Sequence, residues 1–218
     1  KDKLNGIAIG DPIDGKAVIL HTSTAGDRWS ELDKTCSPQL AEGEAFFAAS
    51  RTCLYVISNK VWMISGGKEA RVFISQDFGL HWETINTNMI QGLETQGIFS
   101  ICMIDQKRGM IVGGDYKNPN RKDRNIATTN DGGLNWVTIS NSSPNGYRSC
   151  VDFITVDDLV VWVAVGISGC DYSIDMGNSW FPITDEGFNT VKFQKGSNKG
   201  FLVNSQGEIC SMTISLKK

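Results

Sequence analysis

The stretch Ser173-Ile174-Asp175-Met176-Gly177-Asn178-Ser179-Trp180 holds a hydroxyl residue, an acid, a glycine and a tryptophan in fixed register. The same register returns twice upstream, and a fourth copy has a threonine in place of the acid. The upstream copies are Ser75-x-Asp77-x-Gly79-x-x-Trp82 and Thr129-x-Asp131-x-Gly133-x-x-Trp136, and the altered copy is Thr22-x-Thr24-x-Gly26-x-x-Trp29. The tryptophans of successive copies lie 53, 54 and 44 residues apart, a period that indicates a repeat architecture such as a solenoid or a propeller.

Each copy lies between two short apolar segments, which predicts a β-hairpin with the motif at its turn. In that turn the acid can accept hydrogen bonds from backbone N–H groups, and the glycine can take a positive φ. We expect the tryptophan to open the next strand, so Trp82, Trp136 and Trp180 should be buried between neighbouring sheets. Because the acids recur in each intact repeat, they are expected to hold turns rather than to catalyse a reaction.

The composition favours one globular unit. The chain has 218 residues, of which 40% are hydrophobic, and residues 1–218 are expected to form a single domain. The formal net charge is −3 and the charges of both signs are interspersed, so nucleic acid is not expected as a partner. No apolar run is long enough to span a bilayer, so no membrane span is expected.

The cysteines and histidines offer no plausible metal site. Six cysteines stand at positions 36, 53, 102, 150, 170 and 210, and none forms a C-x-x-C pair. With His21 and His81 as the only histidines, the sequence predicts no metal and no other cofactor. An even cysteine count permits three disulfides, among which Cys36–Cys53 is the favoured pair. A core of this size does not depend on disulfides, so the cysteines leave the cellular compartment open.

Apolar segments of period two give blades of four strands, with the motif between the third and the fourth. The clearest blade has strands at 98–104, 109–113, 125–129 and 136–139, and the next has strands at 149–154, 160–165, 172–173 and 180–183. The preceding blade has one segment too many, because 46–49, 53–57 and 61–64 all come before Arg71. Either its inner strand is bulged around Arg51 and Thr52, or it carries an extra hairpin.

The two ends of the chain supply incomplete blades. Strands at 6–10, 17–22 and 29–32 lack an inner strand, whereas strands at 190–193, 200–203 and 208–214 lack an outer one. Since different strands are missing, these two blades cannot complete one another in the usual ring closure. The sequence therefore predicts an all-β fold, a β-propeller of four-stranded antiparallel blades, with about 4.5 blades in this chain and further blades N-terminal to it.

The repeated motif resembles the Asp-box, or BNR, signature of β-propellers. Further phrases are similar to bacterial propeller proteins related to the photosystem II stability/assembly factor. These phrases are Gly10-Asp11-Pro12, Ala70-Arg71-Val72-Phe73, Gly113-Gly114-Asp115-Tyr116, Gly146-Tyr147-Arg148-Ser149 and Ala164-Val165-Gly166. The resemblance covers nearly the whole chain and implies a six- or seven-bladed ring, an exported (periplasmic or secreted) protein and a non-enzymatic assembly scaffold. The net charge of −3 departs from the basic surface of that assembly factor, so the particular partner does not follow.

A ligand site is expected on the face opposite the motif turns. The loops between second and third strands and the connections between blades open there, and their polar residues can converge on a polar ligand or a sugar. The candidate ligand-binding residues are Asp11, Glu44, Asp115, Tyr116, Tyr147, Arg148 and Asp171, with Asp14 and Glu42 beside them. The alternative is a set of solvated loop residues without a dedicated ligand.

Two functions are consistent with these residues. A non-catalytic binding or assembly propeller with a protein or glycan partner is favoured, because no complete catalytic set is present. The alternative is a glycoside hydrolase, since sialidases and some glucan hydrolases carry the same motif. A sialidase needs a cluster of arginines, and only Arg148 lies at an inner-strand start on the open face, so that activity is disfavoured. A two-carboxylate mechanism stays open, with Asp11, Glu44 and Asp115 as the candidate catalytic residues.

Two further segments carry open interpretations. The longest loop on the open face runs over 116–124 and has four bases between Lys117 and Arg124. It is either a partner-docking loop or a solvated one. Asn141-Ser142-Ser143 is a glycosylation sequon, which matters only if a eukaryotic secretory pathway makes the protein.

Overall fold

The computed structural model of the chain describes residues 1–47, 52–139, 144 and 146–215. Those residues form twenty β-strands and no α-helix, so the all-β prediction is confirmed. The strands form five antiparallel sheets that follow one another along the chain. The described part of the chain thus has no helix that is long and apolar enough to cross a membrane.

The strands are numbered in chain order and grouped into sheets by their hydrogen bonds. The first sheet contains β1 (Gly6–Ile13), β2 (Lys16–Thr22) and β3 (Ser30–Glu31). After the short β4 (Glu44–Ala45), the second sheet contains β5 (Leu54–Ile57), β6 (Lys60–Ile64), β8 (Arg71–Ser75) and β9 (Glu83–Asn86), and the short β7 (Gly66–Gly67) lies between β6 and β8. The third sheet contains β10 (Gln96–Met103), β11 (Gly109–Asp115), β12 (Ile126–Thr129) and β13 (Val137–Thr138). The fourth contains β14 (Cys150–Val156), β15 (Leu159–Gly166), β16 (Gly169–Ser173) and β17 (Phe181–Thr184), and the fifth contains β18 (Thr190–Phe193), β19 (Lys199–Val203) and β20 (Ile209–Thr213).

The blade pattern matches the prediction in strand number at both ends. The first and fifth sheets have three strands each, and the second and fourth have four. The prediction is wrong at the start of the outer strands, because β9, β13 and β17 each begin one residue after the motif tryptophan. In two repeats the indole N–H donates to the glycine carbonyl of its own turn, from Trp82 to Gly79 and from Trp180 to Gly177, both at 2.9 Å. These tryptophans therefore belong to the turn.

Two short strands that flank the surplus apolar segments form an arrangement that the sequence does not predict. β4 pairs with β7, with Glu44 opposite Gly67, and β7 pairs with β10, so both short strands extend the third sheet. Phe46, directly after β4, is buried against the ring of Phe73. Residues 48–51, which include part of the predicted segment and Arg51 of the predicted bulge, lie outside the described residues.

The hydrophobic core lies between consecutive sheets. Facing side chains of the second and third sheets form one cluster, which includes Trp62, Ile74, Ile111 and Trp136. Comparable clusters join the first sheet to the second, the third to the fourth and the fourth to the fifth. Each fully buried large apolar side chain stabilises the fold by roughly 1.5–3 kcal/mol. The sheets are therefore held to one another mainly by the packing of their faces.

The repeated motif forms a hydrogen-bonded turn, which we name a box turn; the intact box turns are 75–82, 129–136 and 173–180, and the altered one is 22–29. In the first intact turn, Ser75 Oγ accepts a hydrogen bond from the Gly79 N–H at 2.7 Å and donates to Asp77 Oδ1 at 2.8 Å. Asp77 Oδ1 also accepts from the N–H groups of Leu80 at 3.1 Å and His81 at 2.9 Å. Gly79 has a φ of 96°, in the left-handed region that favours glycine.

The other two intact box turns repeat this geometry. The Asn135 N–H donates to Asp131 Oδ1 at 3.0 Å, and the Ser179 N–H donates to Asp175 Oδ1 at 2.8 Å. In the altered turn, Thr24 Oγ1 takes the place of the carboxylate and accepts from the Arg28 N–H at 2.9 Å. Threonine thus replaces part of the function of the acid in that turn.

The three tryptophans of the intact turns differ in depth. Trp136 is buried, as predicted, with 7% of its surface exposed, whereas Trp82 and Trp180 are only partly buried. The bond from each indole to its turn glycine holds the edges of the latter two rings at the turn, where solvent reaches them. The indole N–H of Trp136 has no acceptor among the described residues. The indole N–H of Trp62, in the second sheet, donates to the Gly132 carbonyl of that turn at 2.8 Å. The prediction of deep burial is therefore right for Trp136 and wrong for the other two.

The predicted disulfide between Cys36 and Cys53 is absent, because all six cysteines are free thiols. Cys53 is buried in the core between the second and third sheets. Cys36 is partly exposed in a turn after β3, where its N–H donates to the Asp33 carbonyl at 2.9 Å. The two residues therefore belong to different layers of the molecule.

Candidate functional site

Backbone hydrogen bonds fix which turns share a face. The Phe78 N–H of one box turn donates to the Asn59 carbonyl, at 2.8 Å, in the turn between β5 and β6. The Gly132 N–H of the next box turn donates to the Lys107 carbonyl, at 2.7 Å, in the turn between β10 and β11. Box turns and the turns after the inner strands therefore lie together, and we name this side the box face.

The opposite side, which we name the loop face, carries the connections between sheets. The Tyr147 N–H, in the connection from the third to the fourth sheet, donates at 2.8 Å to the Pro119 carbonyl of the loop after β11. The Gly92 N–H, in the preceding connection, donates at 3.0 Å to the carbonyl of Gly67 in β7. Most of the residues predicted to bind a ligand lie on or beneath this face.

Glu44 lies in an ion pair, and its side chain has no exposed surface. Arg71 donates to both of its oxygens, from Nε to Oε1 at 2.9 Å and from Nη2 to Oε2. The Ala41 N–H donates to Oε2 at 2.8 Å, and the Ser65 hydroxyl donates to Oε1. The hydrogen bond to Glu44 raises the pKa of Arg71, so the guanidinium stays charged. A carboxylate with four donors cannot attack a substrate or transfer a proton unless this pair breaks.

Asp115 ends β11 and has 5% of its surface exposed. Gln96 Nε2 donates to Oδ2 at 3.2 Å, and the Lys117 N–H donates to Oδ1 at 3.0 Å. Burial works to raise the pKa of Asp115, but hydrogen bonds from Thr95, Gln96 and the N–H groups of Lys117 and Asn118 outweigh it and lower the pKa. A general acid at neutral pH needs the opposite shift. In this structure Asp115 holds the start of the 116–124 loop.

Four aromatic rings form a cluster beside Asp115. Phe47 stacks on Phe99 with the ring centroids 3.9 Å apart, and Phe99 meets Tyr147 edge-on at 4.9 Å and Tyr116 edge-on at 6.2 Å. Phe99 and Tyr147 are buried, whereas Tyr116 is 40% exposed. Burial raises the pKa of Tyr147, so its phenol stays neutral. Of the two predicted tyrosines, Tyr116 is the one that presents its ring to solvent.

Arg148 and Asp171 form a second ion pair, which is almost completely buried. Arg148 donates to Asp171 Oδ2 from Nε at 2.9 Å and from Nη2, and its Nη1 donates to the Tyr147 carbonyl at 2.9 Å. Asp171 is predicted to lie in a loop, but it lies inside β16, where it pairs with Pro182 of β17. The guanidinium thus joins a sheet to the connection before it and does not face solvent.

The remaining predicted acids are exposed. Asp11 is predicted in a loop but lies in β1, at the place where the pairing with β2 shifts its register between Gly10 and Ile13. Asp14 has a φ of 53° at the hairpin turn and lies 3.8 Å from Lys34. Glu42 is exposed in the turn before β4. Among the three candidate catalytic acids, Asp11 is therefore the solvent-exposed one.

The 116–124 loop is folded onto itself. Arg121 donates to both oxygens of Asp123, and Arg124 Nε lies 3.6 Å from the same carboxylate. Lys122 also has a partner. The carboxylate of Asp123 therefore offsets part of the basic charge of the loop. The sequon at Asn141 lies outside the described residues.

A polar cluster among the inner strands is not predicted from the sequence. Asp152, in the middle of β14, is buried and accepts hydrogen bonds from Lys192 Nζ at 3.1 Å, the Phe193 N–H at 2.8 Å and the Cys102 thiol at 3.4 Å. Burial, reinforced by Asp152, raises the pKa of Cys102, so the thiol stays protonated. One signal was available: Asp152 and Lys192 are charged residues inside otherwise apolar inner strands.

A cavity of about 630 Å³ opens beside this cluster. Its walls are formed by residues of the inner strands β5, β10, β14 and β18, together with Ile104 after β10 and residues 194–197 after β18. Because the turns after the inner strands lie on the box face, the cavity belongs to that side. The loop face thus holds the residues predicted for a site, and the box face holds a cavity that was not predicted.

The sequence matches no protein-family model, and no curated protein matches it. Solved structures do match. A structure of YCF48 bound to a D1 peptide is 16% identical over 96% of this chain and 60% of that chain, with a TM-score of 0.61. A GH74 enzyme of Niastella koreensis is 16% identical over 88% of this chain and 30% of that chain, with a TM-score of 0.62. YCF48 from Cyanidioschyzon merolae is 13% identical over 97% of this chain and 67% of that chain, with a TM-score of 0.53.

These likenesses show the fold. The described residues form a partial β-propeller similar to that of YCF48, and the prediction of a β-propeller with four-stranded antiparallel blades is confirmed. The chain spans 60% of the YCF48 chain that is bound to the D1 peptide and 30% of the GH74 enzyme. Because propellers with this architecture include both assembly factors and glycoside hydrolases, the function depends on the site.

Proposed function

We propose that the chain is part of a non-catalytic binding propeller that holds a protein partner, as an assembly scaffold does. The observation that carries the proposal is the engagement of the candidate catalytic acids. Glu44 is buried under Arg71, and Asp115 is buried with a lowered pKa. A glycosidase needs two carboxyl groups that flank the scissile bond, one protonated and the other ionised. Of the three predicted acids, Asp11 alone is left for this chemistry.

The loop face offers an anchor of the type found in protein interfaces. Tyr116 is 40% exposed, while its neighbours Phe99 and Tyr147 are buried and fixed beneath the surface. A rigidly supported tyrosine loses little conformational entropy when a partner covers it, and tyrosine is enriched among the residues that dominate binding energy. The similar YCF48 structure is bound to a D1 peptide, which supports a protein segment as the class of partner for this chain.

The proposal includes a ring of six or seven blades in an exported protein. Phe201 and Ile209, on the fifth sheet, are 51% and 70% exposed. Apolar faces of this kind suit contact with a further blade, which supports the larger ring. The intact mass of the natural protein tests the ring size, and fractionation of the producing cells tests export.

Peptide selection tests the binding function. Random peptides displayed on phage are selected on the immobilised chain, and the affinity of each selected peptide is measured in solution. Replacing Tyr116 with alanine should lower the affinity for these peptides by about tenfold or more, because a central aromatic anchor is lost. The matched control is Phe181→Ala, which removes a similarly exposed ring from an outer strand and should leave the affinity unchanged.

Two outcomes would contradict the proposal. If the library yields no peptide that binds the chain, the protein-binding function fails. If the selected peptides bind the Tyr116 variant as tightly as the parent, the loop-face site is wrong. A parallel glycan array, read with the same two variants, detects a glycan partner in place of a protein.

A further inference from the structure

We propose that the cavity on the box face is a binding site for a small organic carboxylate with an apolar body. This site is separate from the protein-binding site, because the two lie at opposite faces of the propeller. Its volume of about 630 Å³ falls within the range of roughly 300–1,000 Å³ found for small-molecule pockets. The site therefore has room for an aryl or short alkyl acid.

Apolar side chains form about half of the cavity wall. They come from four different sheets, so a ligand between them touches several inner strands at once. The apolar lining residues are Val56, Ile57, Met103, Ile104, Phe153, Ile154 and Phe193. Removing the apolar body of a ligand from water against these side chains is favourable by roughly 25 cal/mol per Å² of surface, which explains why a purely polar anion would bind less well.

The charges in the cavity select an anion. Two lysines, Lys192 and Lys195, and one acid, Asp152, line the cavity. Asp152 is already satisfied, because Lys192, a backbone N–H and a thiol all donate to it. Lys195 is exposed and forms no ion pair within the described ranges. The balance of charge at the cavity is therefore positive, and the negative group present is shielded by its donors.

Lys192 can serve Asp152 and a ligand together. Its side chain is 68% exposed, so the ammonium reaches into the cavity while it contacts the carboxylate. Partial burial works to lower the pKa of Lys192, but Asp152 outweighs it and raises the pKa, which keeps the ammonium charged. An ammonium has three N–H donors, and its contact with Asp152 leaves donors for a second acceptor.

The other titratable group in the wall does not oppose an anion. Burial raises the pKa of Tyr55, so its phenol is neutral and adds no negative charge. Thr155 and Gln194 also line the cavity and can supply neutral hydrogen-bond donors. A cationic ligand of the same shape would meet the lysines and find Asp152 occupied, so the site should reject it.

Calorimetric titration of the protein with three ligands of one shape tests the inference. The ligands are 4-phenylbutyrate, the uncharged 4-phenylbutanol and the cationic 4-phenylbutylammonium. The acid should bind about tenfold or more tightly than the alcohol, the usual gain from a charge-assisted hydrogen bond, and the ammonium compound should bind more weakly than the alcohol. Equal affinities for the three compounds, or no binding of the acid at millimolar concentration, would overturn the proposal.

Variants locate the anion. Lys195→Gln should weaken the binding of the acid several-fold and leave the affinity for the alcohol unchanged. Adding Lys192→Gln should remove the preference for the acid over the alcohol. Lys199→Gln is the matched control, because Lys199 is an exposed lysine of the same sheet that does not line the cavity. The single Lys195 variant carries the test if the double variant fails to fold, since Lys195 is exposed. An equal loss in the Lys199 variant would show a general charge effect and contradict the site.

Discussion

The box face and the loop face use their acids in different ways. Asp77 and the other box-turn acids accept hydrogen bonds from N–H groups three or four residues ahead in their own turns. On the loop face, Glu44 pairs with Arg71, 27 residues away, and Asp171 pairs with Arg148, 23 residues away. The first kind of contact is local and partly solvated, and the second is distant in sequence and buried. The difference shows that acids on both faces hold the fold, with local turns on one side and connections between elements on the other.

Breaking the buried ion pair between Arg148 and Asp171 should have the largest effect on stability. Arg148→Met leaves Asp171 buried without its main cation, so the free energy of unfolding should fall by about 3–5 kcal/mol. Arg121→Met, which breaks the exposed pair with Asp123, is the matched control and should cost less than about 1 kcal/mol. Urea unfolding of both variants measures the two values. Similar losses in the two variants would remove the distinction between buried and solvated pairs.

The box turns should differ among themselves in the contribution of their tryptophans. Trp136→Ala empties a site in the core between the second and third sheets and should cost about 3–5 kcal/mol. Trp82→Ala removes a partly buried ring and should cost less. Thermal and urea unfolding compare the two. A larger loss at Trp82 would show that its bond to the Gly79 carbonyl outweighs the depth of burial.

Acid should weaken the box turns. Although burial opposes it, hydrogen bonding from His81 and Ser75 lowers the pKa of Asp77 from 3.8 to about 2. The pKa values of Asp131 and Asp175 are lowered as well. Because these carboxylates are stabilised in the folded state, their contribution is fully present above the unfolded pKa and is lost as the pH falls toward about 2.

Replacing Asp77, Asp131 and Asp175 together with asparagine tests this pH dependence. The triple variant should be less stable than the parent at neutral pH by about 1 kcal/mol for each turn, by analogy with helix caps. The difference should narrow as the pH falls from about 5 to about 2. A constant difference over that range would show that the negative charge of these residues does not stabilise the turns.

Restoring the acid to the altered box turn should have the smallest effect. Thr24→Asp supplies a carboxylate where the threonine hydroxyl now accepts from the Arg28 N–H, and it should stabilise the protein by about 0.5 kcal/mol. Ser23→Asp, which adds the same charge one position earlier, should give no gain. Thermal unfolding at neutral pH measures both variants. A gain in the Ser23 variant would assign the effect to net charge rather than to the turn.

The parts that sequence predicts here are those with local causes. The four-residue spacing from Ser75 to Gly79 carries the whole box turn, so hairpins, strand order and the propeller fold follow from the pattern. Glu44 and Arg148 were identified as polar residues near the open face, but their partners depend on which strands meet in space. The contact between Asp152 and Lys192 likewise joins residues 40 positions apart, and no spacing in the sequence brings them together.

We infer that the acids of this chain hold the fold and do not hydrolyse glycosidic bonds. The most direct test measures the release of reducing ends from a panel of β-glucans, xyloglucan and sialylated glycans by the purified protein. Its control is Asp11→Asn, which changes the exposed candidate acid and leaves both buried ion pairs in place. We expect no release of reducing ends above the buffer blank for either protein. Turnover by the parent that disappears in the folded Asp11 variant would contradict it and establish a hydrolase.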